Sequence, residues 1–193
     1  VEAHNNDVFS LQAKAEPLTR WVAEHAFMTS EVLAGRALGA TEAIALTQDN
    51  LVGITRDQGA SWQFTPHSLG PVSAVGGRQG GPYVTVGHGG SMTLSRDGQR
   101  WTALPRYTGE ELIAVEVLKD TIVALGARGT LVRAALDGSG GEAKRLPEGF
   151  LPSSLARHSN ELFAVHASRG FKSADGITWG PAAPRSHTNT RDL

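Results

Sequence analysis

Ser95-Arg96-Asp97-Gly98-Gln99-Arg100-Trp101 sets out a hydroxyl residue, an aspartate two positions on, a glycine and a closing tryptophan. Thr55-Arg56-Asp57-Gln58-Gly59-Ala60-Ser61-Trp62 and Ser173-Ala174-Asp175-Gly176-Ile177-Thr178-Trp179 repeat that order. Leu136-Asp137-Gly138 keeps the Asp-Gly pair but has neither the hydroxyl nor the tryptophan. The aspartates stand at 57, 97, 137 and 175, so the intervals are 40, 40 and 38. Each residue type has a reason to be in a turn. Aspartate accepts hydrogen bonds from the backbone N–H groups just ahead of it, and glycine reaches φ values that other residues avoid. Tryptophan covers the packing of neighbouring strands. Asp57, Asp97, Asp137 and Asp175, with Trp62, Trp101 and Trp179, are therefore read as structural turn residues.

Upstream of each turn lie two short apolar runs joined by a tight connection. They are Ala43–Leu46 with Leu51–Ile54, Tyr83–Val86 with Ser91–Leu94, Ile122–Leu125 with Thr130–Arg133, and Leu162–Val165 leading to Phe171. Gly90, Gly129 and Gly170 share one slot in these connections, and Asn50 fills it in the first copy. A tight hairpin needs a positive φ there, which glycine reaches freely and asparagine tolerates. A further apolar run precedes each pair at Val72–Val75, Leu112–Val117 and Phe150–Leu155, and a last short run ends near Pro66, Pro105, Pro147 or Pro184. Four strands in about 40 residues is the size of one propeller blade. The expected fold is all-β, a β-propeller with four full blades at 31–70, 71–109, 110–149 and 150–184. A degenerate half blade is expected over 1–30 and a tail over 185–193. The half blade rests on Asp7-Val8-Phe9-Ser10-Leu11 and on Trp21; an amphipathic helix from Pro17 to Leu33 is the alternative. A partial blade leaves apolar faces and strand edges open, so completion by another chain or another copy is expected.

The repeated turn resembles the Asp-box, or bacterial neuraminidase repeat, Ser/Thr-x-Asp-x-Gly-x-Thr-Trp/Phe. In style the chain is similar to photosystem II stability and assembly factors and to uncharacterised bacterial proteins carrying this repeat. The resemblance implies a propeller and two kinds of function. One is a non-catalytic binding or assembly platform, secreted or periplasmic, for a protein or glycan. The other is a sialidase-like or other glycan-active hydrolase with part of its site outside this chain. A sialidase would bring an arginine cluster, a tyrosine nucleophile with a glutamate partner and an early Phe/Tyr-Arg-Ile-Pro motif. That motif is missing, and the two tyrosines are Tyr83, which begins an apolar run, and Tyr107, which follows Arg106 near Glu110 and Glu111. Glu110-Glu111 reads as a solvated loop edge, and no catalytic residue is assigned.

Composition narrows the field further. Eighteen basic and 19 acidic residues leave a net charge of −1 over 193 residues, against the basic excess of a general nucleic-acid binder. There is no cysteine, which removes thiolate catalysis and cysteine-held metals. No apolar run approaches the ~18 residues of a membrane-spanning helix. The seven histidines include no pair at helical i, i+4 or strand i, i+2 spacing, and no phosphate loop occurs, so neither a metal nor a cofactor is expected.

Recognition is then expected on the face opposite the Asp-containing turns. Antiparallel order puts the second-to-third-strand turns and the blade-to-blade crossings there. The turns offer Asp49, His88, Arg128 and Arg169, and the crossings offer His67, Arg106, Tyr107 and Glu148. His88, Arg106, Tyr107, Arg128 and Arg169 are the candidate binding residues. Arg128 and Arg169 are read as equivalent positions in successive blades, suited to carboxylate, glycan or acidic-peptide contacts.

Overall fold

The computed structural model describes residues 31–146, 150–158, 161–166 and 169–182. The half blade, its helical alternative up to residue 30, and Glu148 lie outside these residues. Four antiparallel sheets of four strands follow one another in chain order. The first holds β1 (Val32–Ala37), β2 (Ala43–Thr47), β3 (Leu51–Thr55) and β4 (Gln63–Pro66). The second holds β5 (Val72–Gly77), β6 (Tyr83–Gly87), β7 (Met92–Ser95) and β8 (Thr102–Ala103). β9 (Leu112–Val117), β10 (Thr121–Gly126), β11 (Thr130–Ala135) and β12 (Gly141–Arg145) form the third. β13 (Ser154–His158), β14 (Glu161–His166), β15 (Arg169–Ser173) and β16 (Gly180–Pro181) form the fourth. These sheets are the blades of a β-propeller.

Side-chain alternation along the middle strands stacks the blades. In β10, Ile122 and Ala124 join a cluster with Val84, Val86 and Met92 of the second blade. The intervening Val123 and Leu125 join Leu155, Leu162 and Ala164 of the fourth. A strand covered on both faces reads as a continuous apolar run, and β10 is buried from Ile122 to Gly126. Ile44, Leu46, Val52 and Ile54 meet Val75 and Tyr83 between the first and second blades. Burying such a side chain stabilises by about 1.5–3 kcal/mol, so these three clusters are the main cohesive force of the stack. On the far face of the fourth blade, Ala156 and Val165 are exposed and Phe163 is half-buried.

At one end of the sheets lie the Asp-containing turns. Asp97 accepts from the Ser95 hydroxyl (3.0 Å) and from the N–H groups of Gln99 (2.8 Å) and Arg100 (2.9 Å), while Gly98 N–H donates to Ser95 Oγ (2.8 Å). Asp175 does the same with Ser173, Ile177 and Thr178. Asp57 binds the Thr55 hydroxyl and both the hydroxyl and N–H of Ser61. Asp137, without a hydroxyl two residues before it, accepts from Ser139 N–H (2.9 Å). Hydrogen bonds to the charged form hold Asp57, Asp97 and Asp175 down at about 2, led by the Ser61 hydroxyl, Arg100 N–H and Thr178 N–H respectively. The turn glycines wedge against the preceding blade. A Cβ on Gly98 would overlap Ile54, and one on Gly176 would come within 2.6 Å of Val123.

Four local readings are corrected. Val32 and Leu33 lie in β1, so no helix reaches Leu33. The first strand of the fourth blade is Ser154–His158 rather than Phe150–Leu155, because Pro152 lacks the N–H a ladder needs and restricts its predecessor. Positive φ occurs at Asn50 (59°), Gly90 (73°) and Gly129 (83°), but Gly170 lies inside β15, paired with Val165. The pairing of His166 with Arg169 places Arg169 in that ladder too, so it is not the counterpart of Arg128, which stands in the β10–β11 turn.

Candidate functional site

At the opposite end, each of the first three hairpin turns sits beneath the crossing that leads to the next blade. In the first blade Asn50 makes the link with its side chain. Its amide donates to the carbonyls of His67 (2.6 Å) and Gly70 (3.1 Å), and its Oδ1 accepts from Val72 N–H (3.2 Å). In the second, a Cβ on Gly90 would overlap the Thr108 carbonyl; in the third, one on Gly129 would fall 2.9 Å from the Phe150 carbonyl. The slot is thus fixed twice, by backbone sign and by the carbonyl above it.

This docking sets out the candidate residues. His88 is exposed in a single 3-10 turn over His88–Gly90. The Arg106 guanidinium lies above the same turn, with Nη1 3.6 Å from where a Gly89 Cβ would be. Tyr107 packs on the rim of the cluster between the second and third blades, its ring resting on the Gly141 backbone so closely that a Cβ there would come within 2.5 Å of Cζ. Arg128 is exposed, with Nε 3.7 Å from Glu110 Oε1. The Arg169 guanidinium sits 5.7 Å from the Phe150 ring centroid, a cation–π distance. The structure brings His88 together with Arg106; Arg128 and Arg169 belong to different local settings.

Glu110 is the residue the sequence reading missed. Far from a solvated edge, it is 6% exposed, while Glu111 beside it is exposed and accepts from the Ser73 hydroxyl. Glu110 accepts from the Thr130 hydroxyl (2.7 Å) and Arg128 N–H (3.1 Å), and Arg145 approaches to 3.4 Å. Burial opposes its ionisation, but the Thr130 hydroxyl, the Arg128 N–H and the Arg128 charge outweigh that and hold its carboxyl below the ordinary range. One sunken carboxylate therefore anchors two outward arginines, a trio with one positive charge in excess. A signal was present in Gly126, where any side chain would strike Glu110 Oε2 at 2.5 Å.

His67 is also placed differently from its expected role as a free surface side chain. It is 6% exposed, with Nε2 3.0 Å from both the Thr85 and Thr93 hydroxyls and its ring edge-on to Trp101. Burial pushes its imidazole below the usual 6.5. The tyrosine, arginine and glutamates near 106–111 do not form one constellation: Glu110 is taken up by Thr130 and the arginines, and Tyr107 by Gly141.

Fold and site together define a propeller with a cation-bearing turn face. No protein-family model matches the chain, and no curated protein matches it. Among solved structures, the chain is similar to YCF48 bound to D1 peptide, at 22% identity over 84% of this chain and 57% of that one, with a TM-score of 0.60. It is similar to YCF48 from Cyanidioschyzon merolae at 18% identity over 83% and 59%, with a TM-score of 0.59. A chain of the nidogen/laminin complex shares the fold at 13% identity over 73% and 60%, TM-score 0.60. The chain spans less than two thirds of each of these neighbours, and the likeness at such identities shows the fold.

Proposed function

We propose that this chain is a non-catalytic binding or assembly propeller whose turn-and-crossing face holds an acidic segment of a protein partner. The observation that carries the reading is the Glu110 anchor: it fixes Arg128 and Arg145 outward, while Arg106 and His88 add donors one blade away. Arginine forks suit carboxylates, and a pre-positioned fork loses less freedom on binding. The structure of YCF48 bound to D1 peptide supports a peptide as the class of partner for this fold. The repeated turns, read as Asp-boxes, are its scaffold. The open faces at β1, where Leu33 is 57% exposed, and at the fourth blade support covering by further blades or a second chain.

Fluorescence anisotropy with a labelled glutamate-rich peptide and its lysine-rich counterpart tests the reading. The acidic peptide is expected to bind, more weakly as salt rises, and to lose affinity with Arg106→Glu or Arg128→Gln. Equal binding of both peptides would overturn it, as would hydrolysis of a chromogenic sialoside by the chain.

A further inference from the structure

The first two blades are joined at their Asp-turn end by a three-residue clasp. Tyr83, 1% exposed, starts β6 and donates its phenol to Glu42, which precedes β2. Arg56, just before Asp57, donates to the Tyr83 oxygen (3.1 Å) and to the Asp97 carbonyl (3.2 Å), and its guanidinium lies 5.9 Å from the ring centroid. Glu42 is 3% exposed and also accepts from Gly80 N–H (2.5 Å). Burial, then the bond to Glu42, pushes the Tyr83 phenol up to about 12.

One blade further on, the same frame has lost two of the three parts. Arg96 precedes Asp97 as Arg56 precedes Asp57, but Pro82 stands before β6 where Glu42 stands before β2, and Thr121 starts β10 where Tyr83 starts β6. In place of the missing carboxylate and phenol there is an open cleft of about 500 Å3, walled by Pro82, Leu94 and Leu136 and reached by Arg96 and Lys119. Among the described residues the Arg96 side chain has no hydrogen-bond or ion-pair partner. The turn above is looser as well: the nearest atom to a Gly138 Cβ is Leu104 Cδ2 at 3.6 Å, so Leu94 stays half-buried where its counterpart Ile54 is buried. Asp120 and Asp137 also line the cleft, the latter turned to Ser139 N–H, so the cations carry no net excess and simple anion attraction does not explain the site.

We propose that this cleft between the second and third blades receives a phenol-bearing side chain with a neighbouring carboxylate from a partner protein, the guest supplying what Tyr83 and Glu42 supply next door. Arg96 stacks on the ring and donates to the phenol oxygen, and Lys119 meets the carboxylate at the mouth. The apolar wall takes the ring faces. The proposal concerns the face opposite the one discussed above and stands independently of that reading.

The test is an amide-resolved NMR titration of the full chain with 4-hydroxyphenylacetate, against cyclohexylacetate as a probe of equal charge without the aromatic ring or phenol. Saturable shifts at Leu94, Arg96 and Leu136 are expected with the first probe only. Arg96→Gln should weaken them by about tenfold, the value of one charge-assisted contact. Leu136→Trp, which fills the cleft from within, should abolish them while signals from the first and fourth blades stay in place. Equal shifts with cyclohexylacetate, an affinity left unchanged by Arg96→Gln, shifts that survive Leu136→Trp, or no shifts at all would overturn the assignment.

Discussion

Arg36 in the first blade is ion-paired with Glu116 in the third, and its guanidinium also donates to the Val115 carbonyl (3.0 Å). The reach passes the second blade at Gly76, where a Cβ would stand 2.9 Å from that carbonyl. The Glu116 side chain is only 4% exposed, so its partner matters more than a surface pair would. Arg36→Ala strands a buried carboxylate and is expected to cost about 3 kcal/mol in urea unfolding. The double change Arg36→Met with Glu116→Leu should restore most of it, since neither charge is then buried alone. A double variant as unstable as the single one would show that the pair is not the cause.

At position 50 the order of three substitutions is informative. Asn50→Gly keeps the backbone sign and loses the side-chain bonds to the crossing, at about 0.5–1.5 kcal/mol for each bond. Asn50→Ala loses those bonds and adds the cost of a positive φ, about 1 kcal/mol more. Gly90→Ala is expected to be the worst of the three, because the methyl group meets the Thr108 carbonyl as well. Denaturant midpoints give the ranking directly.

Acid should loosen the Asp-containing turns in a defined window. Asp57, Asp97 and Asp175 fall from the ordinary 3.8 to about 2 in the folded chain. Between those values the unfolded chain binds protons that the folded chain does not. Their contribution is therefore complete above 3.8 and disappears as the pH falls through about 2. Melting temperature against pH should drop across that interval, and Asp97→Asn should flatten part of the drop while lowering the plateau above it.

His67 opens a second window at higher pH. Its folded value lies below 6.5, so protonation favours the unfolded chain as pH falls under 6.5. An NMR titration of the imidazole should give a midpoint below the ordinary one, and His67→Gln should remove the corresponding slope in stability. A His67 midpoint at or above 6.5 would contradict its burial against Thr85 and Thr93.

The architecture was legible because the repeat carries its own backbone chemistry. An Asp-Gly turn every forty residues, set between apolar runs, leaves few folds open. β1 was harder to see: Val-Leu-Ala-Gly-Arg-Ala has little β-branched character, and its pairing with β2 decides it. Gly170 followed its sister glycines in sequence and left them in space because the fourth hairpin pairs His166 with Arg169. Glu110 was misread because two adjacent glutamates look solvated, while the amide and hydroxyl that bury it lie 18 and 20 residues downstream, in a turn the sequence does not bring near.

The wedge of Gly98 on Ile54 and of Gly176 on Val123 gives the chain a direction. As the polypeptide leaves the ribosome, Ile54 has no lid until residue 98 has emerged, and Val123 none until residue 176. The first and third units are thus sealed by their successors, so those two pairs close in chain order, and until then the earlier unit is the one a chaperone must shield.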